Sequence, residues 1–359
     1  MTEMTGTSHS VAPAVSRWAR IGPVLTLLVL SPIIGEVMSG ATRLSYIFVL
    51  APEIMVWGCG AVLIREFVRS WQAGWTSALL LGFGLAIAEE FIIQQTSIAP
   101  LPWLGGAPGY GRVWGVNWPY FAFMLGYEAV WIVLVPIQVT ELLFPGRRSE
   151  GWLQLRGRVV CGAVFILGSF IAWFAWTQQA RPNAFHVPPY HPPALTVISG
   201  LAVILLLVVA AYSARRAGRR PRSGTPPQPW IMVIGTMLLG LPWYCLMVLV
   251  FGPVRELPIL VPMFAAVIWA TGLYLLVRNW ALKSEWQDLH RWALCFGALL
   301  VCMTGGFLGA STFSRLDLLG KIILNLLGSA CMVVLAASIK KRCARDTTAP
   351  LTALKEQLN

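Results

Sequence analysis

The feature that most constrains this chain is a recurring one: stretches of about twenty apolar residues, separated by short polar connections, from residue 21 to residue 339. A helix rises 1.5 Å per residue, so about twenty residues cross the roughly 30 Å hydrocarbon core of a bilayer. Ten stretches meet or approach that length, at 21–38, 45–64, 75–94, 119–143, 158–177, 194–213, 230–251, 258–277, 292–310 and 318–339. With 57% hydrophobic and 12% charged residues, the chain holds more apolar surface than a soluble fold of its size can hide; an ordinary soluble domain is about 25% charged. In lipid that surface is stable, because helices satisfy their own backbone groups. The fold class expected is an all-α polytopic transmembrane helical bundle of about ten spans.

Lys and Arg set the expected orientation. One set of connections holds Arg17 and Arg20, then Arg65 and Arg69, then Arg147, Arg148, Arg156 and Arg158. It continues with Arg215, Arg216, Arg219, Arg220 and Arg222, then Arg278, Lys283 and Arg291, and ends with Lys340, Lys341, Arg342, Arg345 and Lys355. The alternate connections keep only Arg43, Arg112, Arg181, Arg255, Arg315 and Lys321. Basic residues collect on the cytoplasmic side, so both termini are expected there. The same scatter of basic residues through short loops argues against nucleic acid as a partner, despite a net charge of +12.

Arg17 and Arg20 precede an apolar run as in a signal peptide, but Glu36 closes that run and no A-x-A site follows. The run is read as an uncleaved first span. The basic, Pro-rich segment 214–229 is the best linker. The expected layout is a cytoplasmic tail 1–20, a six-span membrane domain 21–213, the linker 214–229, a four-span membrane domain 230–339 and a cytoplasmic tail 340–359. No internal repeat is evident. The seven cysteines (Cys59, Cys161, Cys245, Cys295, Cys302, Cys331, Cys343) form no CxxC pair and suit small hydrophobes. Short loops without a sizeable soluble domain point to the inner (cytoplasmic) membrane of a bacterium.

Ionisable residues inside membrane spans are costly, and each is a candidate functional residue. Glu36, Glu53, Glu89, Glu90 and Glu128 all lie in the first four spans, toward the outer face on the orientation above. Counting from the helix ends makes Glu36 an interfacial carboxylate, and Pro52-Glu53 reads as a helix start with Glu53 as its cap. Glu89 and Glu90 are adjacent and repel, and both can border one polar cavity. Gln94, four residues beyond Glu90, is positioned to hold its carboxyl. Glu128 is about 13 Å into the fourth span, with Tyr127 beside it as a possible phenol partner. Spans five to nine hold no acidic or basic residue in their interiors and read as an apolar surround. Arg65, Glu66, Arg69 and Glu141 read as interfacial charges with snorkelling side chains. His186 and His191 sit in a Pro-rich loop and are expected to be exposed rather than metal ligands.

From Glu89-Glu90 the sequence resembles the CAAX-prenyl-endopeptidase and bacteriocin-processing family of glutamate intramembrane proteases, over residues 75–145. That family carries EExxxR on one span, FxxxH on the next and HxxxN or HxxxD on a later one. Here Gln94 stands at the arginine position, Tyr127 at the first histidine position after Phe123, and Glu128 beside it. On the span boundaries above no span holds a histidine. The resemblance implies Glu89 and Glu90 as water activators, with the general-base role falling to Glu128.

The sequence therefore leaves three functions open. One is a glutamate-type intramembrane hydrolase with Glu89, Glu90 and Glu128 as catalytic residues and Gln94, Tyr127 and Glu53 binding substrate. Another is a proton- or cation-coupled permease using the same carboxylates. The last is a non-catalytic membrane scaffold or assembly protein. The bilayer and an unknown membrane-embedded or ionic substrate are the expected partners; the sequence leaves any cofactor unknown.

Overall fold

The computed structural model describes residues 17–106, 109–215, 221–252 and 257–358 and, within them, the side chains of residues 21–345. Expectations placed on Arg17, Arg20, Arg216, Arg219, Arg220, Arg255 and Lys355 lie outside the described side chains.

Nine helices among the described residues are long and apolar enough to cross a membrane. We label them α2 (Leu44–Ser70), α3 (Trp75–Ile93), α4 (Trp118–Leu143), α5 (Leu155–Asn183), α6 (Ala194–Ala214), α7 (Pro229–Phe251), α8 (Leu260–Ala281), α9 (Asp288–Thr312) and α10 (Arg315–Arg345). A shorter apolar helix, α1 (Ile21–Val37), precedes them. The ten predicted apolar stretches thus each become a helix. Their boundaries differ most at α5 and α10, each of which starts three residues early and runs six residues late; α2 runs past residue 64 to Ser70, and α9 starts four residues early. The early start puts His290 within a helix, where its ring accepts the backbone N–H of Gln287 in a capping box.

The helices are not equally buried. α2, α3, α4 and α9 form the centre with α1, whereas α5, α6, α7 and α8 expose most of their apolar length. α9 is the correction to the apolar-surround reading. It enters the core because small residues line the sides it turns to its neighbours, Gly297 against Thr236 of α7 and Ala298 and Cys302 toward α4 and α1, and close approach gains van der Waals contact where lipid offers no hydrophobic driving force. Trp131 of α4 donates to the Ala298 carbonyl at 2.6 Å, and Cys302 lies 3.5 Å from the Ile34 carbonyl. α1, α2 and α4 meet at Ser31, whose hydroxyl donates to the carbonyls of Ile132 at 2.6 Å and Trp57 at 3.2 Å. At Gly58 the α1 backbone comes so close that a Cβ would lie 2.3 Å from the Leu28 carbonyl oxygen.

Alternation of the helices gives the bundle two ends. One, the carboxylate end, carries Glu36, Glu53, Glu89 and Glu90; the other, the arginine end, carries Arg65, Arg69, Arg147 and Arg291. The long connection 94–117 folds over the carboxylate end. It includes a small antiparallel hairpin, β1 (Arg112–Val113) and β2 (Val116–Asn117). Trp114 and Gly115 form its two-residue turn with φ of 51° and 79°, the left-handed pair that a tight hairpin requires.

Candidate functional site: a buried carboxylate cluster

The helices at the carboxylate end are locally widened where the glutamates lie. π-helical turns occupy Ile33–Val37, Ile54–Gly58, Glu89–Ile93 and Glu128–Leu134, in α1, α2, α3 and α4 respectively. Glu36 sits inside the first turn, Glu53 immediately before the second, and Glu89, Glu90 and Glu128 open the others. A π-turn accommodates an extra residue within the helix, redirecting the side chains on either side of it, and such turns recur at functional sites.

All five glutamates are buried: Glu36 is 8% exposed, Glu53 4%, Glu89 1%, Glu90 1% and Glu128 0%. The interfacial reading of Glu36 and the cap reading of Glu53 are therefore corrected. Helix α2 starts at Leu44, well before Pro52, and the Thr42 hydroxyl donates to Glu53. The carboxyls face one another across helices. Glu128 feels the charges of Glu90, Glu89 and Glu36, while Glu36 feels Glu53, Glu89 and Glu90. Glu89 in turn feels Glu90 and Glu53. None of the five takes part in a salt bridge among the described residues.

Hydrogen bonding within the cluster is uneven. One Glu90 oxygen accepts from the hydroxyls of Thr96 and Ser97, each at 2.6 Å. Both oxygens of Glu89, both of Glu128 and Oε2 of Glu53 make no hydrogen bond. Glu128 is nonetheless near enough to Glu90 to share a proton with it. Gln94 approaches Glu89 rather than Glu90. The physical reason is the π-turn, in which the Gln94 N–H bonds the Glu89 carbonyl five residues back instead of Glu90 four back. Tyr127 is not the partner of Glu128. Its hydroxyl donates to the Gly35 carbonyl, and its ring joins a ladder with Phe123 and Trp131 along α4.

Three residues of the site were not picked out from the sequence. Thr96 and Ser97 follow the α3 helix end and turn back onto it, which Gln95 permits with a φ of 62°. Tyr120, buried near the start of α4, places its phenol beside Thr96 and within reach of Glu90, Glu128 and Glu36. Hydroxyls six and seven residues beyond a paired glutamate were the only available signal. Arg112 and Arg181 do not neutralise the cluster; both serve the covering loop. Arg112 donates to the carbonyls of Ile98 and Ala99, and Arg181 to those of Pro100 and Pro188.

No group of three or more His, Cys, Asp or Glu side chains is arranged to hold a metal ion among the described residues. His186 and His191 are both exposed, and His186 has a left-handed φ of 55°.

The arginine end handles charge differently. Arg65 is buried, not snorkelling, and bonds Glu66 at 3.0 Å and Glu141 at 3.3 Å. Its guanidinium also donates to the Arg148 carbonyl at 3.0 Å and stacks 3.6 Å from the Trp152 ring centroid. The connection 144–154 folds under the helix ends and supplies these partners, so the side chains need not reach solvent.

Apolar spans around a sequestered ionisable cluster define a polytopic integral membrane protein with a buried carboxylate site. Over residues 25–345 the chain matches the model of an uncharacterized membrane protein family, and it belongs to that family. No curated protein and no solved structure matches it.

Proposed function

We propose that this protein is a proton-coupled membrane carrier in which Glu36, Glu53, Glu89, Glu90 and Glu128 bind and release the coupling protons. The observation that carries the reading is the gathering of five buried carboxyls from four helices, with no salt-bridge partner for any of them among the described residues. At an effective dielectric of about 20, two carboxylates about 6 Å apart repel by roughly 3 kcal/mol. Five full negative charges in one buried site are therefore untenable, and the cluster must hold protons whose number changes with its surroundings. Thr42, Thr96, Ser97 and Tyr120 supply hydroxyls that can pass a proton between carboxyls. Intramembrane carboxylates serve proton relays in pumps and transporters. On this reading the chain lies in the cytoplasmic membrane with both termini inside and the cluster toward the outer face, as the distribution of Lys and Arg favours.

The test is proton movement in reconstituted vesicles loaded with a pH-sensitive dye. Gradients of amino acids, sugars, organic anions and organic cations are imposed in turn. At least one class is expected to drive proton movement in the wild type, reduced about tenfold or more in Glu90→Gln at equal amounts of folded protein. Silence of the wild type toward every class would overturn the carrier reading.

A second reading, a glutamate-type intramembrane hydrolase, is favoured by one detail. Glu90 is gripped by two hydroxyls at 2.6 Å with Glu89 and Glu128 beside it, as a positioned water activator would be. Cleavage of membrane peptides that Glu90→Gln abolishes, without proton movement, would favour it over the carrier.

A further inference from the structure

A second feature of the bundle lies away from the glutamates. Between α3, α4, α7, α8 and α9 runs a cavity of about 670 Å³, within the range of ligand-sized sites, and none of the five glutamates lines it. Along α4 it extends from Gly126 to Glu141. Fifteen residues of helix span about 22 Å, more than the roughly 15 Å of one hydrocarbon leaflet. The cavity exists because α8 stands off from the centre. α8 reaches α3 through Tyr274, whose ring meets Trp75 at 5.1 Å and whose hydroxyl meets that of Thr76 at 3.2 Å. It reaches α7 through Trp269, which donates to the Leu239 carbonyl at 3.0 Å.

The walls are sorted by polarity along this length. Toward the middle of the bundle they are Val130, Trp131, Leu134, Leu239, Trp243 and Leu273. At the arginine end they are Arg65, Arg69, Arg278 and Arg291, with Glu141 the one acidic side chain lining the cavity. Glu141 is already engaged by Arg65 and Arg69. Asp288, the neighbour of Arg291 at 3.9 Å, is held more closely by Arg148 at 2.5 Å. Arg278 makes no ion pair or side-chain hydrogen bond among the described residues. One end of a long apolar slot is thus left with uncompensated positive charge. Basic pockets between membrane helices hold lipid head groups, and Arg is well suited to phosphate.

We propose that this cavity binds a phosphate-bearing lipid, its head group on Arg278 and Arg291 and an acyl chain lying along α4 toward Trp243. Charge complementarity and depth together select this occupant. A zwitterionic lipid would bring its own cation to an already cationic end, and a free phosphate would leave the apolar length unfilled. The proposal is independent of how the glutamate cluster works.

The experiment uses the full-length protein in vesicles containing phosphatidic acid with a photoactivatable group on its acyl chain. Crosslinks are expected on residues lining the slot, such as Leu134 and Leu273. Labelling should fall about fivefold or more in the double variant Arg278→Gln, Arg291→Gln. Ala270→Phe, which fills the slot from α8 without touching its charges, should reduce labelling similarly. The matching phosphatidylcholine probe should label weakly, and inorganic phosphate should not compete. Equal labelling by the choline probe, competition by inorganic phosphate, or unchanged labelling in both variants would each overturn the proposal.

Discussion

Arg65 and Glu128 are both buried ionisable side chains, yet they meet burial in opposite ways. Arg65 is surrounded by acceptors: two carboxylates, backbone carbonyls and the face of Trp152. Glu128 has only other carboxyls as its near charged neighbours, and among the described residues neither of its oxygens accepts from a hydroxyl, amide or cation. The first arrangement is structural, the second holds free energy in reserve. Arg65→Met should therefore cost about 3–5 kcal/mol, because Glu66 and Glu141 would lose a shared buried cation. Thermal unfolding of the purified variant, or its failure to accumulate, reads this directly. Much of this was visible in the sequence, since acids in membrane spans are rare enough for Glu89, Glu90 and Glu128 to stand out. Glu36 was not recognised, because counting residues from a helix end measures depth in one helix only. It cannot see α4 and α9 packing against the Glu36 turn, or Lys321 of α10 reaching the Met38 and Ser39 carbonyls just beyond it. The Arg65 network was misread for the same reason, with the connection 144–154 as the hidden cover.

At the scale of helices, hydropathy located all ten elements but not their places in the bundle. α9 carries no acid in its interior and is nearly as apolar as α8, with a mean hydropathy of 1.9 against 2.1, yet one is central and the other peripheral. The difference lies in small residues where α9 meets its neighbours, a weaker signal than charge. π-turns leave no composition signature either, and one of them moved Gln94 from Glu90 to Glu89. Close packing at the widened turns gives a direct test. Gly58→Val would drive side-chain carbons into the Leu28 carbonyl, 2.3 Å from where the first of them would stand. A loss of about 1–3 kcal/mol is expected, measured by thermal unfolding in detergent. Gly272→Ala, with no neighbouring atoms within 4 Å, should be neutral and serves as the control.

For the whole molecule, orientation is the first property to establish, because both proposed sites take their meaning from it. Reporter domains fused after residue 345 and inserted at the Trp114–Gly115 turn should fall on opposite sides of the membrane, the former in the cytoplasm. Placement on the same side would remove one span from the ten and with it the alternation of Lys and Arg. The chain's mean hydropathy of +0.69 is spent unevenly. Outward-facing Leu, Ile and Phe on α5, α6 and α8 meet lipid, while the centre is closed by α9. That closure has a bearing on biogenesis. Trp131 waits for Ala298, a partner 167 residues further along the chain. At the 5–20 residues per second of synthesis, roughly 8–30 s pass between them. Throughout that interval the nascent α1 to α4 sit in the bilayer with their glutamates gathered and one wall missing. Insertion machinery or surrounding lipid must shield them until the ninth helix arrives.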